Sequence, residues 1–78
     1  MAIVRLFASA REAAGTGRCE LAGSTVTEVL DEACRVFGDH FAEVLDGSNV
    51  WLNGDTADLG SAVSDQDEIA VLPPVSGG

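Results

Sequence analysis

Residues 25–38 read TVTEVLDEACRVFG, and this stretch decides how the rest of the chain can fold. Its apolar residues recur at intervals of three and four, as Val26, Val29, Leu30, Ala33, Cys34 and Phe37. That spacing predicts an α-helix with one apolar stripe. Thr25 and Glu28 match a capping box, in which the hydroxyl and the carboxylate bind free N–H groups at the helix start. Gly38 is a natural end, so we expect one amphipathic helix that must cover an apolar surface.

Two short segments before this helix predict strands. Residues 3–8 form an apolar run interrupted by Arg5, and its length and branched residues favour a strand. Alternation puts Val4, Leu6 and Ala8 on one face, and Ile3, Arg5 and Phe7 on the other, wetter face. Residues 11–17 contain two glycines and predict a loop, followed by a second strand near residues 18–21.

The second half of the chain predicts one more short helix and the remaining strands. Residues 41–45 favour a short helix, and residues 50–53 a strand closed by the turn signal Asn53-Gly54. Leu59 and Val63 are interpreted as isolated apolar anchors of a connecting segment. Residues 65–67 predict a polar turn before a last strand at residues 68–72.

This order of elements predicts an α+β fold in which one mixed sheet of four to five strands packs against one main helix. It is the order of the ubiquitin-like β-grasp fold. We expect residues 1–72 to form that domain, because 78 residues are too few for two cores. Pro73 and Pro74 lack backbone donors and favour an extended chain, so residues 73–78 are predicted to form an extended, flexible tail ending in Gly77-Gly78.

Composition excludes several classes of function. Thirteen acidic and four basic residues give a formal net charge of −9, which repels nucleic acid and anionic lipid. The basic residues are Arg5, Arg11, Arg18 and Arg35, and the sequence contains no lysine. No apolar run approaches the ~20 residues of a membrane span, and no signal peptide is evident. We therefore expect a cytoplasmic protein whose partners are neutral or basic proteins.

The metal-binding and redox residue types do not form a motif. Cys19 and Cys34 are too far apart for a C-x-x-C site, and Cys34 is interpreted as a core residue on the apolar stripe. A reactive thiol at Cys19 stays open, although no lysine or histidine adjoins it. His40 is predicted to lie at the surface, and the acidic residues near Asp67 to form a solvated turn rather than a calcium site. We expect no metal site.

The last residues carry the candidate chemistry. Gly77 and Gly78 have no Cβ, so this part of the backbone can enter a narrow channel and bring a terminal carboxylate to a buried reaction centre. A functionless frayed terminus is the alternative. Extended prolines before Gly-Gly, on a domain with this order of elements, favour a functional tail.

Several motifs together resemble the small subunit of molybdopterin synthase. They are Phe7-Ala8, Arg11-Glu12 and Gly15 near the start, Asp67-Glu68-Ile69-Ala70 in the last strand, and Leu72-Pro73-Pro74-Val75-Ser76-Gly77-Gly78 at the end. The resemblance covers nearly the whole chain in order. Thr56 departs from it, because the family often has a large apolar residue there at the partner interface.

The resemblance implies a sulfur carrier rather than a self-contained enzyme. A ubiquitin-activating-type enzyme would use ATP to adenylate Gly78, and a sulfur donor protein would convert the adenylate to a thiocarboxylate. The tail, comprising Pro73, Pro74, Val75, Ser76, Gly77 and Gly78, would then enter the active site of the large catalytic subunit and give sulfur to the pterin precursor of the molybdenum cofactor. The working assembly would be a heterotetramer, and this chain would bind no cofactor itself.

Strand parity and the resemblance both suggest where a partner docks. Alternation predicts that Phe7, Trp51 and Leu72 lie on the sheet face opposite the helix, where large apolar residues are typical of an interface. Three other functions stay open: a sulfur carrier for thiamine or cysteine synthesis, a protein modifier joined through Gly78 to target lysines, and an acidic interaction module without covalent chemistry. The double proline and Arg11-Glu12 weigh against the thiamine type.

Overall fold

The computed structural model describes residues 1–74 and contains one mixed sheet with helices against it. In chain order the elements are β1 (Ala2–Leu6), α1 (Ala8–Ala14), β2 (Arg18–Leu21), α2 (Val26–Phe37), α3 (Asp39–Asp46), β3 (Asn49–Leu52), β4 (Asp55–Thr56) and β5 (Glu68–Leu72). The sheet order is β2-β1-β5-β3-β4. The strands β1 and β5 run parallel at the centre, and the other neighbours are antiparallel. This arrangement confirms the predicted ubiquitin-like β-grasp fold.

The capping box of α2 is present, with one shift in its second bond. The Glu28 N–H donates to Thr25 Oγ1 at 3.2 Å. The Glu28 carboxylate accepts from the N–H of Ser24 at 2.9 Å, one residue before the cap. At the other end Gly38 donates its N–H to the carbonyl oxygen of Cys34 at 2.9 Å. The helix therefore begins and ends where the sequence predicts. The Thr25 hydroxyl caps one terminal N–H group, and the N–H groups of Val26 and Thr27 donate to the carbonyl oxygens of Ser61 and Leu59, both at 3.0 Å.

The core lies between the sheet and the apolar stripe of α2. Its buried side chains come from three strands and all three helices: Ala2, Val4, Leu6, Ala10, Leu21, Val26, Val29, Leu30, Ala33, Phe41, Ile69 and Val71. Phe41 of α3 is fully buried and packs against the half-buried Phe37, with ring centroids 5.2 Å apart. Each large apolar side chain in this core contributes about 1.5–3 kcal/mol by leaving water.

The loop predicted over residues 11–17 is wrong, because the helix α1 occupies Ala8–Ala14. The predicted first strand also ends earlier, at Leu6, and Ala8 is exposed rather than in the core. Alanine is the strongest helix former, and Gly15 adopts the left-handed conformation that ends many helices. This short helix buries only Ala10 fully, so its apolar periodicity is too weak to detect in the sequence.

The second half of the chain follows the prediction more closely. The short helix α3 is confirmed, and Asn53 and Gly54 both adopt positive φ angles, 53° and 88°, in the turn between β3 and β4. Such angles fit the tight hairpin that Asn-Gly predicts. Val63 packs against the core, but Leu59 is 53% exposed and its predicted anchoring role is wrong. Across residues 1–74, none of the helices has the length and apolar character to cross a membrane.

Candidate partner-docking surface and carboxyl-terminal strand

One face of the sheet is left uncovered by the helices. We call it the outer face, and it comprises Ile3, Arg5, Phe7, Trp51, Ala70 and Leu72. The alternate residues of β5, Ile69 and Val71, are fully buried on the opposite side. Strand alternation thus places the predicted residues as expected, because successive side chains point to opposite faces of a sheet.

Phe7 and Leu72 lie side by side on the outer face. Leu6 is opposite Val71 in the parallel register, so the next residues, Phe7 and Leu72, are level with each other. The Phe7 N–H donates to the Val71 carbonyl oxygen at 3.3 Å and continues the ladder beyond the end of β1. Phe7 is 41% exposed, and Leu72 is half-buried. These two side chains form an apolar area at the point where β5 ends.

Trp51 extends this apolar area across the sheet. In the register it lies opposite Ala70 of β5 on one side and Thr56 of β4 on the other. Both neighbours are small, so neither covers the indole, which is 37% exposed. A partner protein could therefore contact Trp51 from above the sheet, and the short Thr56 leaves the ring open at the sheet edge.

The carboxyl-terminal tail starts beside this area. Pro73 follows β5 and is buried, whereas Pro74 is exposed. Neither proline can donate a backbone hydrogen bond, so the ladder of β5 ends there. The predicted tail residues Val75, Ser76, Gly77 and Gly78 lie outside the described residues.

The turn before β5 is held by side-chain hydrogen bonds. Asn53 donates through its amide to Asp67 Oδ1 at 3.0 Å, and the Ser64 N–H donates to Asp67 Oδ2 at 2.8 Å. The Glu68 N–H in turn donates to Asn53 Oδ1 at 2.9 Å. Asn53 first, and then Ser64, hold the pKa of the Asp67 carboxyl below its ordinary value. The network links the β3–β4 turn to the start of β5, which supports a structural role for the Asp67 carboxylate.

The two thiols are half-buried and favour the neutral form. Burial raises the pKa of Cys19, and the neighbouring Arg18 opposes that rise only partly. Burial and the nearby Asp31 both raise the pKa of Cys34. A nucleophilic cysteine needs a lowered pKa, so neither thiol has the environment of a reactive residue. His40 lies at the surface, 3.9 Å from Glu43, and no group of metal-binding side chains occurs within residues 1–74.

Sequence reasoning missed one assembly of charged residues. Arg5, Arg11 and Arg18 line a single pocket between β1, α1 and β2. Their spacing in the sequence matches no binding motif, and Arg11 was expected in a loop. The only signal for this pocket in the sequence was the composition, because these three arginines are most of the four basic residues in the chain.

The comparison with known proteins identifies the family. The family model described as the ThiS family matches residues 4–78. Small archaeal modifier protein 1 of Haloferax volcanii is 44% identical over an alignment of 85 residues including gaps, which covers 95% of this chain and 97% of that protein. The sequence similarity therefore extends over nearly the full length of both proteins.

Solved structures share the fold over the same length. The solution structure of small archaeal modifier protein 1 from Methanosarcina acetivorans superposes with a TM-score of 0.88 at 33% identity, covering 99% of this chain and 95% of that one. A Pyrococcus furiosus protein assigned as molybdopterin converting factor, subunit 1, gives a TM-score of 0.79 at 27% identity, covering 95% and 97%. The chain described here is therefore a member of the ThiS family of ubiquitin-like sulfur carriers.

Proposed function

We propose that this chain is the sulfur carrier subunit of molybdopterin synthase and contributes no catalytic acid or base of its own. The observation that carries the proposal is the position of β5. This strand lies in the sheet centre, ends at Leu72 beside Phe7, and leads directly into the proline-containing tail. A partner that covers the outer face would thereby receive the tail at a defined place. The similarity to the Pyrococcus furiosus protein supports the choice of pathway.

The proposed chemistry starts at the carboxylate of Gly78. A ubiquitin-activating-type enzyme transfers AMP from ATP to this carboxylate and releases pyrophosphate, because a carboxylate is a poor electrophile until it carries a good leaving group. A persulfide on a sulfur donor protein then attacks the acyl carbon and displaces AMP. Reductive cleavage of the resulting acyl disulfide by a thiol leaves a thiocarboxylate on Gly78. No step requires a nucleophile from residues 1–74 of this chain.

The proposed partner in sulfur transfer is the large catalytic subunit, in a heterotetramer with two copies of each chain. Phe7, Trp51 and Leu72 would supply the apolar contact, and the residues from Pro73 to Gly78 would reach the pterin precursor in the partner's active site. Apolar anchors that are exposed in the free protein are the usual centre of such an interface. The net charge of −9 favours a partner with a positive net charge.

A second candidate function is protein modification. It is favoured by the 44% identity to small archaeal modifier protein 1 of Haloferax volcanii. Both functions share the adenylation of Gly78 and differ only in what then attacks the acyl carbon. A sulfur donor gives a thiocarboxylate, whereas a lysine amine of a target protein gives an isopeptide bond.

One experiment separates the two functions. The purified protein is incubated with ATP, its activating enzyme and a sulfur source, and its intact mass is measured. Thiocarboxylate formation replaces oxygen with sulfur and adds about 16 Da. The product should then convert the pterin precursor when the large subunit is added, and a reaction without ATP is the control.

The modifier function predicts a different product. An amino-terminally tagged copy expressed in cells would form adducts with target lysines. Because Arg35 is the last basic residue and Glu68 the last acidic one, Glu-C digestion rather than trypsin gives a short remnant, residues 69–78 joined to lysine through Gly78. Thiocarboxylate formation without turnover by the large subunit, together with abundant lysine adducts, would replace the first proposal by the second. Absence of an ATP-dependent mass change in the first experiment, together with absence of lysine adducts in the second, would contradict both.

A further inference from the structure

Positive charge is concentrated at one place on this acidic protein. A pocket of about 510 Å³ between β1, α1 and β2 is lined by Arg5, Arg11 and Arg18. Phe7 of the outer face lines the same pocket, so the arginines directly adjoin the apolar area at the end of β5. Three of the four basic residues of a chain with a net charge of −9 therefore line one pocket.

The backbone is shaped to bring the arginines together. Ala8 has a φ of 50°, a left-handed conformation that non-glycine residues seldom adopt, and it turns the chain sharply from β1 into α1. The Leu6 N–H donates to the Gly17 carbonyl oxygen at 2.9 Å, which holds the start of β2 beside the end of β1. The Arg11 side chain lies over Gly17, where a Cβ would stand 3.4 Å from Nε. Strain and close packing of this kind are typical of functional sites.

The pocket arginines are only partly neutralised. Arg5 lies 3.7 Å from Glu68, and Arg18 lies 3.8 Å from Glu20, in exposed pairs that contribute little. Within residues 1–74, Arg11 makes no ion pair. Arg35 on α2 differs, because it donates two hydrogen bonds to Glu32 at 2.8 and 2.6 Å. Arg11 is thus unpaired within residues 1–74, and Arg5 and Arg18 have only long, exposed ion pairs that a partner's carboxylate can replace.

We propose that this pocket binds an aspartate or glutamate side chain of the protein that docks on the outer face. The inference rests on the proposed function for the existence of that partner. A guanidinium group can donate two parallel hydrogen bonds to one carboxylate. Phe7 lines the pocket, so the pocket is continuous with the apolar contact. A phosphate or nucleic acid is less suited, because its several charges would meet Glu20, Glu68 and the negative field of the whole chain. The acidic residue would set the orientation of the carrier on its partner.

Calorimetric titration with the large subunit tests this binding. The variants are Arg11→Gln, Arg18→Gln and the double substitution, and Arg35→Gln is the matched control because it removes the same charge from α2. We expect the double variant to bind at least about tenfold more weakly, with a smaller salt dependence of affinity than the wild type. The control should bind within about twofold of the wild type. Unchanged melting temperatures establish that the pocket variants are folded.

A charge swap identifies the contact directly. Each acidic residue on the partner's docking face is changed to arginine in turn. The affinity of each such partner variant for the Arg11→Glu variant of this chain is then measured. Recovery of affinity by one such pair would assign the carboxylate, and failure of every pair to recover it would overturn the inference. A second experiment tests whether the pocket binds a free anion instead. The free protein is titrated with inorganic phosphate, and chemical shifts are monitored by NMR. Saturable shifts confined to the pocket residues at millimolar phosphate would overturn the inference in favour of a free anion.

The inference and the proposed function can fail separately. If the pocket variants bind as tightly as the wild type and the wild type still gains its 16 Da, about the mass of the oxygen-to-sulfur exchange, the inference fails and the proposed function stands. If the arginine substitutions weaken binding but no sulfur is acquired, the docking contact stands and the carrier function fails.

Discussion

Phe7 donates its backbone N–H to the carbonyl oxygen of Val71, and this bond sets the Phe7 side chain beside Leu72 on the outer face. The contact joins the first strand of the chain to the last one. It also brings an exposed aromatic ring to the place where the carboxyl-terminal tail begins. A protein in contact with Phe7 would therefore lie next to Pro73, which follows β5.

Removal of either apolar side chain should weaken partner binding. We expect Phe7→Ala or Leu72→Ala to reduce the free energy of binding to the large subunit by about 1 to 3 kcal/mol, because each would lose a buried apolar anchor. Calorimetric titration of the purified proteins measures this change. Unchanged affinity of both variants would move the interface to another surface.

The matched control is Leu6→Ala, because Leu6 directly precedes Phe7 and points to the opposite face of the sheet. Leu6 is 2% exposed, so its truncation should leave a cavity and lower the free energy of unfolding by about 2–5 kcal/mol. Phe7→Ala should change this free energy far less, because Phe7 is already 41% exposed. Equal losses of stability in the two variants would contradict the assignment of the two faces.

Changing the length of the tail should abolish sulfur transfer. Deletion of Gly78, or addition of one residue after it, displaces the carboxylate from the point at which the partner must hold it. The melting temperature should stay the same, because terminal residues seldom contribute to a core. The measurement is product formation with the activating enzyme and the large subunit, and normal turnover by either variant would refute the proposed role of Gly78.

The absence of lysine limits what an activated copy can acylate. No copy offers a side-chain amine, and the amino-terminal amine of Met1 forms an ion pair with Asp65. We therefore expect no chains of this protein linked through side chains, even with excess activating enzyme. Mass spectrometry of the reaction products tests this. A cross-link from Gly78 to a side chain of a second copy would contradict it.

The Asp67 network should make part of the stability dependent on pH. The hydrogen bonds from Asn53 and Ser64 lower the pKa of Asp67 in the folded state, so the folded protein binds this proton less readily than the unfolded chain. Its stabilising effect is then present above the ordinary pKa of aspartate and is lost as the pH falls through the lowered value. Asp67→Asn should be less stable than the wild type at pH 7, and the difference should shrink from about pH 5 downward. Thermal unfolding across that range measures it, and a pH-independent difference would contradict the assignment.

Gly23 should tolerate no side chain. Its φ is 155°, and a Cβ built there would lie 2.7 Å from both the backbone nitrogen and Cγ2 of Val29. Because these atoms belong to the first turn of α2 and to the core, Gly23→Ala should lower the free energy of unfolding by about 2 kcal/mol or more. Gly60→Ala is the matched control, since its nearest neighbour would be Asp58 Oδ1 at 3.7 Å. Equal denaturation midpoints for the two variants would contradict the expected clash between a Cβ at position 23 and Val29.

Local sequence patterns determined much of the architecture. The helix α2 could be predicted because its periodicity and capping residues act within a few turns, and the alternation of Ile69 and Val71 with Leu72 follows from strand geometry alone. The helix α1 could not, because its conformation depends on burial of Ala10 against other elements rather than on a strong stripe of its own.

For the candidate site, too, one part could be predicted from the sequence and another part could not. The sequence by itself determined that Phe7, Trp51 and Leu72 lie on the outer face, because parity along a strand is a local property. Only the tertiary structure decided that Phe7 lies beside Leu72 and that Arg5, Arg11 and Arg18 share one pocket. The parallel pairing of β1 with β5 brings Phe7 to Leu72. The antiparallel pairing of β1 with β2 sets Arg5 opposite Arg18, and the turn at Ala8 adds Arg11. Contacts between residues distant in the sequence depend on how the elements pack, and no local pattern contains that information.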